Sequence, residues 1–149
     1  MLTENLAVLF ERDIRKLKIE INAYASESLL WEVAPGIANS GGNLCLHLLG
    51  NLQHFIGAIL GKSGYIRNRP EEFSQKNIPL AEINQTLDHV IDLVPKTIRS
   101  VSPELLSTEY PEKVFDHSMT TEYFLLHLLA HLNYHLGQIN YHRRILSGI

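Results

Sequence analysis

Four histidines recur in an apolar helical segment near the end of the chain, LLHLLAHLNYHLGQINYHRRI at residues 125–145. Side chains three and four residues apart share one helix face. The spacing therefore predicts one polar line among aliphatic residues, made of His127, His131, His135, Gln138 and His142. Two neutral imidazoles one helical turn apart can direct their nitrogens at a single divalent metal ion, as in helical zinc sites.

A His-x-x-x-His pair also has a purely structural interpretation. Histidine is intermediate in its preference for burial, so these side chains could equally be hydrogen-bonded or hydrated at the edge of the apolar stripe. A metal site gains support if a distant segment supplies a third ligand. The segment NLCLHLLGNLQHFIGAIL at residues 43–60 offers His47 and His54, which share a helix face with Asn51.

The residues alone leave the ligand set open. Residues 43–60 contribute His47 or His54, and residues 125–145 contribute either His131 with His135 or His127 with His131. Three neutral imidazoles leave a fourth position for water, which is typical of catalytic metal sites. Metal-bound water is acidified and becomes a nucleophile near neutral pH. Such a ligand set suits zinc, nickel, iron or cobalt. No acidic residue stands out as a general base.

Bulk properties exclude several classes of protein. The 149 residues are 45% hydrophobic and 19% charged, which predicts one globular domain spanning residues 1–149. A net charge of -3 gives no basic surface for nucleic acid. No apolar run approaches the ~20 residues of a membrane span, and the N-terminal residues do not resemble a signal peptide. The single cysteine, Cys45, fits a reducing compartment, so we expect a cytoplasmic protein with a buried, inert thiol.

Helical periodicity predicts four long helices and no sheet. They should cover residues 3–24, 43–60, 79–101 and, starting between 118 and 121, a segment that ends near 146. Asn39 or Ser40 should cap the second helix, and Pro95 should bend or interrupt the third. Glycines inside the second helix indicate close helix approach or space for a bound group. The predicted fold is an all-α four-helix bundle, which builds metal sites from facing helices.

Two long connections separate these helices. Residues 61–79 contain Arg67 and Arg69, which belong either to a surface loop with weak ion pairs or to a segment over the metal site that meets an anionic substrate. Residues 102–119 could form a lid or a short β-like excursion.

Three motifs in order carry a resemblance to a known family. NSGGNLCLHLLGNL, GYIRNRPEEF and LLAHLNYHLGQINYHRRIL resemble the DinB-like superfamily, also called the YfiT-like metalloenzyme bundle. In particular, the chain is similar to a branch with H-x-x-G-N, R-N-R-x-x-E-F and H-x-x-x-H-x-G-Q-I motifs. The resemblance runs from about Asn39 to the C-terminus.

The resemblance implies an up-down-down-up four-helix bundle, often a homodimer, that binds a divalent metal ion through three histidines. By motif position these ligands are His47, His131 and His135, and His54 and His127 would orient them. Characterised members include metal-dependent thiol transferases, and isomerases that use a similar thiol.

We therefore expect a metal-dependent thiol transferase or hydrolase that acts on a small molecule together with a low-molecular-weight thiol. Arg67 or Arg69 would steer an anionic co-substrate, and Asn51 and Gln138 would hold the ligands or the loop. The first alternative is a non-catalytic metal-binding or stress-related protein. The second is a purely structural bundle with hydrated histidines.

Overall fold

The computed structural model describes residues 1–148, and this part of the chain is helical without a strand. Its α-helices are α1 (Leu2–Asn22), α2 (Gly41–Leu52), α3 (Arg69–Ser74), α4 (Leu80–Ser100), α5 (Pro103–Ser107) and α6 (Thr121–Ser147). A π-helical segment, Gln53–Leu60, extends α2, and a 3-10 turn, Ser28–Trp31, follows α1. None of the helices in residues 1–148 has the length and apolar character needed to cross a membrane. The predicted all-α class is confirmed.

The four long helices enclose one apolar core. Helix α1 packs against α4 and α6, and α2 packs against the same two helices. The apolar stripe predicted for α1 is buried, because Leu6, Phe10, Ile14, Leu17 and Ile21 are all at most 1% exposed. Burial of such side chains contributes about 1.5–3 kcal/mol each, which is how an amphipathic helix is held in place.

Helix boundaries follow the capping residues. Ser40 Oγ accepts a hydrogen bond from the backbone N–H of Asn43 at 3.1 Å, so Ser40 caps α2. Thr120 caps α6 in the same way, and α6 ends at Gly148, whose φ of 70° is left-handed. Helix α4 continues through Pro95, so the proline does not interrupt it.

The extension of α2 lies unusually close to α4. A Cβ atom added to Gly57 would lie 2.8 Å from Leu93 Cδ2, and one added to Gly61 would lie 2.9 Å from Thr97 Oγ1. Larger residues would push the two helices apart. Gly57 and Gly61 therefore serve the close helix approach that the sequence suggested.

Both long connections contain short helices that periodicity did not predict. Helix α3 is tied to the start of α2, because the buried Asn43 amide donates to the carbonyl oxygens of Glu72 and Gln75, both at 2.9 Å. In the second connection, α5 precedes an isolated bridge between Glu109 and Thr120. The first of these connections brings α3 against the helix that carries His47.

Candidate metal centre

Three histidine side chains converge between α2 and α6. The Nε2 atoms of His47 and His131 are 3.2 Å apart. The ring centroids of His131 and His135 are 4.6 Å apart, and those of His47 and His135 are 5.3 Å apart. One nitrogen from each ring lies within 4.8 Å of the other two, so the three residues could hold a metal ion.

Helix geometry explains the convergence. His131 and His135 are one turn apart on α6 and so point to the same side. His47 is 7% exposed and faces them from α2. Its ring also contacts Phe73 of α3, with centroids 4.9 Å apart. Each ligand candidate therefore lies on a helix that is fixed by the core.

The outer nitrogen of His47 contacts a buried carboxylate. Its Nδ1 is 3.0 Å from Glu72 Oε1, and Glu72 is 6% exposed. Arg67 donates to both oxygens of the same carboxylate, from Nε to Oε2 and from Nη2 to Oε1, both at 2.8 Å. The Arg67 guanidinium also lies over the Phe55 ring, 5.6 Å from its centroid. Arg67 therefore reaches the site, but its donor fork is engaged by Glu72.

The third histidine is also oriented by a side chain. His135 Nδ1 lies 2.7 Å from Gln138 Oε1, one turn further along α6. An amide oxygen only accepts hydrogen bonds, so this contact places the proton on Nδ1 and leaves the lone pair on Nε2. Gln138 thus contacts one of the three histidines of the cluster.

Burial keeps two of the three rings neutral. It lowers the pKa of His131 to about 4, with further contributions from His135, His47, His127 and Arg67. Burial also lowers the pKa of His135, although the hydrogen bond with Gln138 acts in the opposite direction. Neutral rings keep a lone pair available near neutral pH, as metal ligation requires.

Glu72 is charged despite its burial. Burial by itself would raise the pKa of Glu72, but hydrogen bonds with His47 and Arg67 and the Arg67 charge outweigh it and hold the pKa below its usual value. The buried anion is therefore compensated by one cation and one imidazole N–H.

The donor set fits a divalent metal ion. Two nitrogens bound to a tetrahedral zinc ion at about 2.0–2.1 Å lie about 3.3–3.4 Å apart, close to the 3.2 Å between His47 and His131. His131 Nδ1 is buried and has no hydrogen-bond partner within residues 1–148. Buried polar atoms are usually paired. The cluster therefore offers one ring nitrogen from each of three histidines within 4.8 Å, and the His131 ring has a nitrogen that the protein leaves unpaired.

The other candidates lie further out. His54 Nε2 pairs with Glu112 Oε2 at 2.9 Å and does not join the cluster. His127 stacks on Phe124 and is 6.4 Å from His131 between ring centroids. Arg69 lies over the Phe73 ring, 5.2 Å from its centroid.

Asn51 is buried one turn beyond His47. Its Oδ1 has no hydrogen-bond partner within the described residues. The structure therefore shows no contact by which Asn51 holds a ligand or the loop.

His142 does not belong to the site, although the helical spacing put it on the same polar line. Its Nδ1 lies 2.7 Å from the Tyr24 hydroxyl, and its Nε2 lies 2.8 Å from the Glu32 carbonyl oxygen. Both ring nitrogens are thus satisfied within the protein. This part of the predicted line is structural because the connection after α1, which carries Tyr24 and Glu32, packs against the last turns of α6.

An apolar groove opens beside the cluster. It has a volume of about 970 Å³ and begins at His135 and Gln138. One wall is the outer face of α6 as far as Ile145, and the other is the loop of residues 34–39. A small molecule with a carbon skeleton could lie there with its reactive end at the histidines.

The single cysteine takes no part in this chemistry. Cys45 is fully buried, and burial raises the pKa of its thiol to about 12. A thiol of this kind is not an effective nucleophile.

Sequence reasoning missed Glu72 and the role of Gly50. We found no acidic partner for the histidines in the periodic helices because Glu72 lies in a connection between them. A Cβ atom added to Gly50 would lie 1.9 Å from Glu72 Oε2. The signal was the Glu of the R-N-R-x-x-E-F motif, which occupies position 72, with the first Arg at position 67.

The chain matches a known protein family. The family model of the DinB superfamily matches residues 10–139, which is most of the chain and includes all three histidines. No curated protein matches the chain at a significant level of similarity.

Proposed function

Since this chain belongs to the DinB superfamily, we propose that it binds a divalent metal ion through His47, His131 and His135. We further propose that it acts as a metal-dependent thiol transferase or hydrolase on a small molecule. The observation that carries the proposal is the meeting of three imidazoles from two helices within 4.8 Å. The single reduced cysteine supports a cytoplasmic setting.

The proposed architecture is an up-down-down-up four-helix bundle of α1, α2, α4 and α6. Contacts along the helix pairs support antiparallel α1 and α4, parallel α1 and α6, and antiparallel α2 and α6. For α1 and α4 the contacts are Asn22–Asn84 and Glu4–Arg99. For α1 and α6 they are Asp13–Asn133 and Glu20–Asn140. For α6 and α2 with its extension they are His47–His131 and Phe55–Phe124. The parallel pair α2 and α4 requires a long crossover connection, which residues 61–79 supply.

Each part of the site has a separate role in this chemistry. A bound zinc, nickel or iron ion would supply Lewis acidity toward a thiol or a water molecule. Gln138 keeps His135 in the tautomer whose lone pair faces inward. The groove beside His135 excludes water from the carbon skeleton of the substrate. Arg67 contributes positive charge but is occupied by Glu72, so Arg69 is the freer candidate for an anionic co-substrate.

An activity assay carried out with each metal ion in turn tests this function. Purified protein is loaded with zinc, nickel or ferrous iron and offered glutathione or cysteine with a chlorodinitrobenzene electrophile, and separately a nitrophenyl ester. We expect turnover that requires the metal and is lost in His131→Ala. Metal binding without either activity would favour the non-catalytic metal-binding alternative. Failure to bind any of these ions would reject both and leave a structural bundle.

We also propose that the chain forms a homodimer through the outer face of α6. An exposed stripe, which we call the α6 stripe, follows three- and four-residue spacing along the whole helix. It consists of Tyr123, Leu126, Ala130, Tyr134, Gly137, Tyr141 and Ile145. Tyr141 is 69% exposed and Ile145 is 71% exposed, which is unusual for large apolar side chains on a single face.

The α6 stripe is complementary to the same stripe of a second copy when the two α6 helices pack antiparallel. With Tyr134 at the two-fold axis, Ala130 meets Gly137, and large residues meet large residues toward both ends. The same pairing places Glu122 near Arg144 of the second copy, whereas a parallel pairing would bring like charges together. Antiparallel packing therefore satisfies both size and charge, and the second copy would roof the groove.

Sedimentation velocity tests the interface. Tyr134→Lys would place two like charges at the axis, so we expect a monomer, while the control Val8→Lys on the exposed side of α1 should remain dimeric. Glu122→Arg or Arg144→Glu alone should weaken the dimer, and the two changes together should restore it. A monomeric wild-type protein at high concentration would contradict the proposal, as would a double variant no better than the single ones.

A further inference from the structure

A carboxylate from the connection between α2 and α4 contacts the outer edge of His47. We propose that Glu72 is a positioning residue, clamped by Arg67 in a space left by Gly50, which fixes His47 with its proton on Nδ1 and its lone pair toward His131 and His135. This inference rests on the proposed metal function. It assigns to Glu72 of α3 the orientation and tautomer of one proposed ligand, His47.

First, in the contact between Glu72 and His47, the imidazole is the hydrogen-bond donor. Glu72 already accepts two hydrogen bonds from Arg67 at 2.8 Å, so its carboxylate accepts and has no proton to give. The 3.0 Å contact between Glu72 Oε1 and His47 Nδ1 is therefore a hydrogen bond only with the proton on Nδ1. Arg67 Nη2 also lies 3.4 Å from this Nδ1, but it donates to Glu72 Oε1 at the shorter distance of 2.8 Å. A neutral imidazole carries only one N–H, so in the neutral ring with this tautomer Nε2 bears the lone pair.

The second step is the direction of that lone pair. His47 Nε2 is the atom that lies 3.2 Å from His131 Nε2. With the opposite tautomer, an N–H would point into the space between the three rings and would block a cation. The hydrogen bond made by one ring nitrogen of a metal-binding histidine usually decides which nitrogen is free to ligate.

The third step is the space that the carboxylate occupies. Gly50 lies one turn after His47 on α2, and a methyl group there would overlap Glu72, 1.9 Å from Oε2 and 2.6 Å from Cδ. The overlap involves the carboxylate itself, which is also held by Arg67 and cannot move without breaking those bonds. Gly50 and Glu72 should therefore act as one unit with His47.

The last step is the anchorage of Glu72. Its own backbone carbonyl accepts from the buried amide of Asn43, which is on α2 as well. Glu72 is thus attached to the ligand-bearing helix through its main chain and its side chain. A side chain that only neutralised Arg67 would need neither the contact with His47 nor the cavity at Gly50.

The test measures the His47 ring directly, without metal. Protein labelled with ¹⁵N in its histidine rings gives spectra in which the two neutral tautomers differ, and the His47 signals are assigned by comparison with His47→Gln. We expect the Nδ1–H tautomer in the wild type, and a shift toward the Nε2–H tautomer in Glu72→Ala. Glu71→Gln is the matched control, because Glu71 is the exposed neighbour on the same helix and should leave the spectrum unchanged.

Zinc affinity provides the second readout. We expect Glu72→Ala and Gly50→Ala each to weaken zinc binding by about 10- to 100-fold, the range usual for partners of metal ligands. The double variant should be no weaker than either single one, since both changes remove the same carboxylate. Glu72→Gln keeps the size of the side chain and can still accept a hydrogen bond through its amide oxygen, so it should lose less zinc affinity. It also provides the measurement if Glu72→Ala does not fold.

Two results would overturn the inference. One is a His47 tautomer that is the same in wild type, Glu72→Ala and Glu72→Gln. The other is loss of affinity that is additive in the double variant, because independent effects would mean that Gly50 does not act through Glu72. If no form of the protein binds zinc, the proposed function fails, and the metal-free spectra still decide the role of Glu72.

Discussion

Two buried histidine clusters lie on α6, and they differ in what completes them. The metal centre, His47 with His131 and His135, brings nitrogens together at one point. The tyrosine–histidine cluster, His142 with Tyr24 and the Glu32 carbonyl, pairs each ring nitrogen with a group of the protein. Both clusters contain buried or half-buried imidazoles of α6, which His47 of α2 joins in the metal centre. Burial of histidine therefore does not distinguish a ligand site from a structural contact, whereas the partners of its nitrogens do.

The surroundings do not separate the two clusters. His135 and His142 both line the 970 Å³ groove, and His47 is nearly as buried as His142, with exposures of 7% and 5%. A residue whose hydrogen bonds are complete stabilises the fold, and one whose lone pair is directed at other lone pairs needs an external partner. The two clusters should therefore differ in metal affinity and in their contribution to stability.

The largest expected difference is in metal affinity. His131→Ala removes one of three ligands and should weaken zinc binding by about 100-fold or more, whereas His142→Ala should change it by less than about 2-fold. Competition titration with a chromogenic chelator measures both. Equal losses in the two variants would mean that the clusters do not differ in the way that their contacts indicate.

Metal should also stabilise the fold, and only through the first cluster. At a free zinc concentration 100 times Kd, binding adds about 2.7 kcal/mol to the free energy of unfolding, which for a chain of this size raises Tm by about 5–11 °C. Calorimetry should show this rise in the wild type and in His142→Ala, and its reversal by EDTA. A similar rise in His131→Ala would contradict the assignment.

The second cluster should contribute stability alone. Tyr24→Phe removes the hydroxyl that contacts His142 Nδ1 at 2.7 Å and leaves a buried ring nitrogen unpaired. Such a loss costs about 1–3 kcal/mol. Urea denaturation should report this decrease, while zinc affinity should equal that of the wild type. A Tyr24→Phe protein that is as stable as the wild type would show that the contact is incidental.

The smallest effect concerns a contact outside both clusters, between Asp13 of α1 and Asn133 of α6. Asp13 is fully buried; burial would raise its pKa, but hydrogen bonds from Arg12 and Asn133 outweigh this and hold the pKa below its usual value. Its contribution to stability is therefore present above the ordinary pKa of Asp and is lost as the pH falls through the folded value. Asp13→Asn should flatten the fall in Tm below about pH 4, and the exposed Asp116→Asn should not. An unchanged acid slope would argue against the contact.

The sequence predicted those parts of the molecule that follow periodic patterns. The four long helices, the cap at Ser40 and the spacing of His131 and His135 depend on local geometry, and the structure places them within a few residues of the prediction. The resemblance to a known family, rather than the spacing, selected His47 over His54. Pairing of His54 with Glu112 gives the physical reason for this choice, but it depends on a connection whose path has no periodic signal.

The remaining features depend on contacts between distant segments. Glu72 reaches His47 only because α3 folds back onto α2, and His142 is satisfied only because the chain near Tyr24 passes over the end of α6. Neither contact has a repeat or spacing that could reveal it. Sequence reasoning therefore extended the polar line of α6 too far, to His142, and missed Glu72 as the acidic partner of His47.

The most direct test of the metal centre is the zinc K-edge X-ray absorption spectrum of protein loaded with one zinc ion per chain. We predict scattering from three imidazole rings at about 2.0–2.1 Å, together with one lighter oxygen or nitrogen ligand. The spectrum of His131→Ala should contain one ring fewer. A wild-type spectrum with no more than one imidazole, or one that is identical in His131→Ala, would contradict the assignment of His47, His131 and His135 as ligands.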